Sequence, residues 1–226
     1  MDACSKNAFK AALADPSRAR LTLCWLSLAS DAVAELLGQA GFSACLIDGE
    51  HAPNDVEAIR RQIMAVELGG VSSAIARTPV NEAWVIKRLM DAGAQTILVP
   101  MVDTAEAAAE AAAALRFPPE GTRGVAGASR AAGFGGYRKN YLTTANAEAC
   151  CLVQIESFKA VENIEAIAEV KGVDALFIGP SDLAASLGHL GSPNAPEVQR
   201  VVDAAIARIV ATGKPCSRLE RAIYPV

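Results

Sequence analysis

Residues 150–186, CCLVQIESFKAVENIEAIAEVKGVDALFIGPSDLAAS, limit the possible folds more than any other stretch. Two short apolar runs, CLVQI and ALFI, flank a segment in which Val161, Ile164, Ile167 and Ala168 recur at helical spacing. The pattern predicts strand, helix, strand, and a helix joining two parallel strands makes a right-handed crossover. Each strand ends in an acid, Glu156 in QIES and Asp182 in GPSD. The C-terminal ends of parallel strands share one rim, where open α/β sheets and α/β barrels carry their chemistry. Two carboxylates on that rim are hard oxygen donors that suit a divalent cation such as Mg²⁺ or Mn²⁺. The same acids also suit the caps of the helices that follow them, and spacing alone does not choose.

The rest of the chain repeats this unit. LTLCWLSL (21–28), ACLID (44–48), SSAIAR (72–77) and TILVPM (96–101) read as strands. Ser30-Asp31, Asp55 and Asp103 or Thr104 stand where helix caps belong, and Gly41 stops one helix. Residues 3–14 predict a short amphipathic helix ended by Asp15-Pro16-Ser17, and AEAAAEAAAAL reads as an outer, solvated helix. A β/α unit recurs roughly every 22–25 residues, which argues for an α/β, TIM-type (β/α)8 barrel. The repeat breaks at 116–149, a long Gly- and Arg-rich connection expected on the strand C-terminal side, where it lines or covers the site. Six strands are clear and a seventh is doubtful. The tail CSRLERAIYPV (216–226) is polar and charged, so the barrel is expected to be incomplete, without its last strand and helix.

Length fits this plan, because 226 residues can form one barrel domain over 1–226. With 52% hydrophobic residues the chain has ample core material, and only 5% are aromatic, which suits close helix-on-sheet packing. A net charge of −4 points away from nucleic acid and anionic membranes. No apolar run approaches the ~20 residues of a membrane span, and MDACSKNAFKAAL lacks the apolar centre of a signal peptide. The six cysteines form no CxxC pair and sit largely in strand-like runs, as core thiols of a reducing compartment do. A cytoplasmic protein is expected.

Three further residues stand out. His51 follows the second strand in IDGEH, and Asp48, three positions earlier, is placed to hold one ring nitrogen and leave the other to move protons. Against that stands the ordinary solvated loop histidine. Arg77 ends the third strand, where its guanidinium can bind a carboxylate or hold charge developing on oxygen; its bland alternative is a surface ion pair. Asp91 lies at a helix C-terminus against the dipole, a broken local rule that points weakly to function. His189, in GHLG, reads as loop structure first and substrate contact second.

Taken together and in order, IDGEHAPND, ARTP, MDAGAQTILVPMV, RFPPEGTRG, VQIES and IGPSDLAASLGHLG resemble the metal-dependent (class II) pyruvate aldolases of the HpcH/HpaI family. DGEHAPND and PSDLAASLGHLG are most similar to its 2-dehydro-3-deoxyglucarate (5-keto-4-deoxyglucarate) aldolase branch. The resemblance implies a TIM-type barrel, a homohexamer, and Mg²⁺, Mn²⁺ or Co²⁺ held by Glu156 and Asp182. It implies that His51, Asp48 and Asp91 form the acid/base network, with a neighbouring subunit contributing. It implies that Arg77, Gln154, Ser181 and Asp182 seat a 2-keto acid. The reaction would be retro-aldol cleavage of a 2-keto-3-deoxy sugar acid to pyruvate and an aldehyde such as tartronate semialdehyde. No strand ends in a lysine suited to Schiff-base chemistry. The family continues past GKP with a further strand, helix, strand and helix, so the tail here looks truncated or shifted in frame. Two alternatives accompany this reading: a citryl- or malyl-CoA-lyase-like enzyme, and an inactive remnant.

Overall fold

The computed structural model describes residues 6–15, 21–138 and 140–218. Seven parallel strands form one sheet in sequence order, from β1 (Leu23–Leu26), β2 (Ala44–Asp48), β3 (Ser73–Arg77) and β4 (Thr96–Val99) to β5 (Cys150–Ile155), β6 (Ala175–Ile178) and β7 (Cys216–Arg218). The doubtful seventh strand therefore exists, since the first three residues of the expected tail pair with Leu176, Phe177 and Ile178. Within the described residues β1 and β7 are the sheet's two edges, consistent with an incomplete barrel. Residues 219–226 of the tail, and most of the Asp15-Pro16-Ser17 stop, lie outside the described residues.

Helices α2 (Asp31–Gly38), α3 (Val56–Gly69), α4 (Ala83–Ala92) and α5 (Ala105–Ala114) connect the first strands. Ser30, Asp55 and Thr104 cap α2, α3 and α5 by accepting backbone N–H bonds, and Gly70 closes α3 in the left-handed conformation. Helix α5 is less solvated than its composition implies: Ala108, Ala111, Ala112 and Ala114 are buried. Small side chains let it lie close to the sheet.

Strand alternation sorts the apolar residues into two cores. One alternating set, with Cys45, Ile47, Ile97, Val153 and Ile178, packs outward under the helices. Leu46, Ile75, Leu98, Leu152 and Phe177 point inward and fill the barrel. Helix α1 (Ala8–Leu13) plugs the N-terminal end with Phe9, and Asn7 donates to Thr96 Oγ1 (3.0 Å) and the Glu148 carbonyl (2.9 Å). Cys45, Cys150 and Cys151 are buried thiols of these cores, and burial pushes Cys45 up to about 11 and Cys151 up to about 12.

The 116–149 connection is not where its length and glycines suggested. It follows a helix, not a strand, so it returns at the N-terminal end of the sheet, opposite the acidic rim. Arg123 donates to Asp91 (2.6 Å), Arg130 to the Ala92 carbonyl (3.1 Å), and the Ala131 N–H to the Asp91 carbonyl (3.2 Å), all at the far end of α4. Nor is it all loop: it contains α6 (Tyr141–Glu148) and a small core of Phe117, Ala131, Ala132, Tyr141 and Ala145. Beyond β5 come α7 (Phe158–Glu162), α8 (Ile164–Glu169), α9 (Pro180–Ser186) and α10 (Pro196–Ala211). No helix among the described residues is long and apolar enough to cross a membrane.

Candidate active site

The inward columns of the strands change from apolar to polar at their C-terminal ends. On β2 the series runs Ala44, Leu46, Asp48; on β3, Ile75, Arg77; on β5, Leu152, Gln154 and then Glu156. Together with Trp25 on β1 and the Gly179–Asp182 segment after β6 they line a cavity of about 340 Å³.

Glu156 is 2% exposed. Its Oε1 accepts from the Met101 N–H (2.6 Å) and its Oε2 from Gln154 Nε2 (2.6 Å). Met101 reaches this position in the left-handed region, φ 51°, a conformation that costs a non-glycine residue free energy. The β4–α5 turn is thus held in a strained shape that aims an N–H at the carboxylate. Burial pushes Glu156 up to about 7; the Met101 N–H and the Arg77 charge pull it down, while Glu50 and Asp182 add to the rise. A Cβ on Gly179 would meet Glu156 Oε2 at 2.5 Å, so only glycine fits beside the carboxylate. The capping alternative is removed for both acids. Ser157 caps α7, Gly179 precedes α9, and Asp182 sits exposed in the first turn of α9 on the cavity wall.

Arg77 is neither a free cation nor a surface ion pair. Its side chain is 7% exposed, and its Nε and Nη2 lie 2.9 and 2.7 Å from Asp48 Oδ1. Nη1 lies 2.8 Å from Glu50 Oε2 and 3.5 Å from Gln154 Oε1. The guanidinium stacks on Trp25, 4.5 Å from the ring centroid, and Trp25 meets Phe177 edge-on. Such a cation, neutralised by two carboxylates and covered by an indole, has a fixed orientation.

Asp48 does not hold the His51 ring. Its Oδ1 accepts the backbone N–H groups of Glu50 (3.0 Å) and His51 (3.2 Å) besides the Arg77 donors, so it shapes the turn after β2. Asn54 Nδ2 ties the same turn to the Asp48 carbonyl (2.8 Å). A Cβ on Gly49 would lie 2.5 Å from the Arg77 carbonyl, which explains the glycine. The His51 ring, 64% exposed, stands at the cavity mouth with Nε2 4.0 Å from Glu50 Oε1. Glu50 is the residue the sequence reading missed. Its pKa is raised by burial, against the pull of Arg77 and His51. Parity offered a signal, because Glu50 continues the inward series Ala44, Leu46, Asp48.

Gln154, 2% exposed, and Ser181 line the same cavity, and the Gln154 amide nitrogen is committed to Glu156. Asp91 is not brought to this rim within the chain. It lies at the opposite end of the barrel, bonded to Arg123, whose side chain is 1% exposed and stacks on Phe117. This pairing supplies the counter-charge the α4 C-terminus lacked. His189 is likewise outside the cavity lining; its N–H bonds the Ala184 carbonyl and finishes α9.

Known proteins share this sequence and this fold. The pattern of the HpcH/HpaI aldolase/citrate lyase family matches residues 21–218. A hydroxypyruvate/pyruvate aldolase of Roseobacter denitrificans is 51% identical over 92% of this chain and 80% of its own length. A 5-keto-4-deoxy-D-glucarate aldolase of Citrobacter koseri is 48% identical over 94% of this chain and 81% of its own. The crystal structure of an HpcH/HpaI aldolase/citrate lyase family protein from Burkholderia cenocepacia J2315 superposes with a TM-score of 0.90 at 43% identity, covering 94% of this chain and 84% of that one. Since the matched span contains every rim residue described above, the chain belongs to the HpcH/HpaI aldolase/citrate lyase family.

Proposed function

We propose that the chain catalyses divalent-metal-dependent retro-aldol cleavage of a 2-keto-3-deoxy sugar acid, giving pyruvate and an aldehyde. Membership of the family makes it an aldolase-type lyase. The finer reading is carried by one observation, a buried glutamate that lines one cavity together with Asp182 and a fixed arginine. The substrate class is supported by the names of its relatives, a 5-keto-4-deoxy-D-glucarate aldolase and a hydroxypyruvate/pyruvate aldolase.

The donor set fits a divalent cation. Glu156 and Asp182 offer carboxylate oxygens to one cavity, and burial resists ionisation of Glu156 unless a cation compensates it. Among the described residues no third His, Cys, Asp or Glu completes a cluster, so water and substrate would fill the remaining positions of Mg²⁺, Mn²⁺ or Co²⁺. When bound, such an ion supplies a Lewis acid for the 2-keto group and holds negative charge as the carbon–carbon bond breaks. The side chains do the rest. Arg77, oriented by Asp48 and Glu50, faces the oxygen on which enolate charge develops. His51 at the mouth is placed to take the C4 hydroxyl proton, after which the C3–C4 bond breaks and its electrons form the pyruvate enolate. A proton returned to C3 completes pyruvate. Gln154 holds Glu156 in place, and Ser181 lines the substrate side.

The test is pyruvate release from a panel of 2-keto-3-deoxy acids, with citryl- and malyl-CoA alongside. Turnover should require added Mg²⁺, disappear with EDTA, and fall more than about 100-fold in Glu156→Ala. Activity that survives chelation overturns the metal role, and preference for the thioesters favours the CoA-lyase alternative. A thioester substrate would need basic side chains near the rim for the CoA phosphates, and Arg123 and Arg130 lie at the other end of the barrel, which disfavours that alternative.

A further inference from the structure

Glu50 contacts two residues that line the cavity, Arg77 and His51, and the geometry points to a defined task for it. We infer that Glu50 is a positioning residue that acts through Arg77, fixing the Nη1 end of the guanidinium toward the cavity; the inference rests on the aldolase reading above.

Arg77 has three sides to restrain. Asp48 takes the Nε and Nη2 edge, and Trp25 covers one face. Nη1 remains, and its neighbour among the cavity-lining residues is Gln154, whose Oε1 stands 3.5 Å away, a weak hold. The short contact on Nη1 is Glu50 Oε2 at 2.8 Å. That oxygen is buried and accepts no aligned hydrogen bond, so it steers Nη1 by charge and leaves its N–H directions for another oxygen. The other oxygen of Glu50 faces the His51 ring at 4.0 Å, so one carboxylate spans the two groups assigned to charge stabilisation and proton transfer. Asp48, Glu156 and Asp182 are the other charged groups that bear on Glu50, and all are acids. Holding a fourth carboxylate among them is unfavourable unless its contact with Arg77 is used.

Two roles for Glu50 predict opposite signs. If it only neutralised Arg77, removing its charge would leave a stronger cation and speed enolate formation. If it positions Arg77, removal slows it. The measurement is exchange of pyruvate methyl protons into D₂O with Mg²⁺, followed by NMR, in a Trp84→Phe background that leaves Trp25 as the remaining tryptophan. Glu50→Gln should slow exchange roughly tenfold while pyruvate affinity stays within about twofold, and Glu50→Asp, which keeps charge but loses reach, should fall between. Independently of activity, Trp25 emission should move to longer wavelength in Glu50→Gln as the guanidinium leaves the indole face. Native or faster exchange, an affinity loss equal to the rate loss, or an unchanged Trp25 spectrum overturns the inference. If the parent protein exchanges no pyruvate protons but Trp25 still shifts, the aldolase reading fails and the positioning of Arg77 by Glu50 stands.

Discussion

Glu156 concentrates the chemistry of this chain at one side chain, and its titration is measurable without a substrate. Its folded-state pKa of about 7 exceeds the ordinary carboxyl value of 4.5. A carboxyl raised by folding binds its proton more tightly in the native state, so its contribution to stability is fully present below pH 4.5 and is lost as pH rises through about 7. Without metal, native protein at pH 8 should carry a penalty of about 1–3 kcal/mol that Glu156→Gln does not. Thermal unfolding in EDTA should therefore show the variant to be the more stable at pH 8, with the advantage fading by pH 5. Added Mg²⁺ should then raise the native melting temperature and leave the variant's unchanged. A variant less stable at every pH would mean the carboxylate is already compensated by its neighbours. The positions of Glu156, Asp182 and Arg77 were legible because each lies at or shortly after the C-terminal end of an apolar strand and therefore reaches the rim. Glu50 was not, because the DGEH motif draws attention to an Asp–His pair at i, i+3. In the folded turn Asp48 spends its oxygen on backbone N–H groups and Arg77, and the nearer carboxylate to the ring is the one between them.

At the scale of elements, uninterrupted apolar runs identified the strands, and cap residues placed the helix starts. What those runs could not supply was the end of the barrel to which a long connection returns. That follows from chain direction alone: residues after a strand emerge at the acidic rim, residues after a helix at the opposite end. The 116–149 segment was read by its glycines and arginines, although its place in the order already assigned it to the floor. Helix α6 was hidden because LTTANAE carries no strong apolar stripe; its contribution is Tyr141 and Ala145, packed in a small local core. The floor also includes α1, only six residues long and too short to be stable alone. Its place depends on Phe9, 3% exposed against the inward core, and on the bonds of Asn7 and Lys10 to the residues before β5. Phe9→Ala should cost about 3–5 kcal/mol in chemical denaturation. A cost under about 1 kcal/mol would show that the barrel interior is closed without it.

For the molecule as a whole, the informative residue is Asp91. The resemblance that assigns it to acid/base work cannot be satisfied inside one chain, since α4 carries it to the end of the barrel opposite Glu156, where Arg123 holds it with 24% of its side chain exposed. Asp91 can join the rim chemistry only if the floor of one subunit meets the rim of another, which an oligomer built from repeated heterologous contacts permits. This gives the proposed assembly a functional consequence that a gel-filtration volume does not test. On that arrangement Asp91→Asn and Glu156→Gln should each abolish activity by damaging different halves of one shared site. Refolded together in equal amounts, they should recover roughly a quarter of native pyruvate release, because one site in four pairs an intact Glu156 with an intact neighbouring Asp91. Mixing without refolding should recover less, in proportion to subunit exchange. If the refolded mixture stays inactive while Asp91→Asn alone is impaired, the residue acts only through its bond to Arg123, and its place in the reaction is structural.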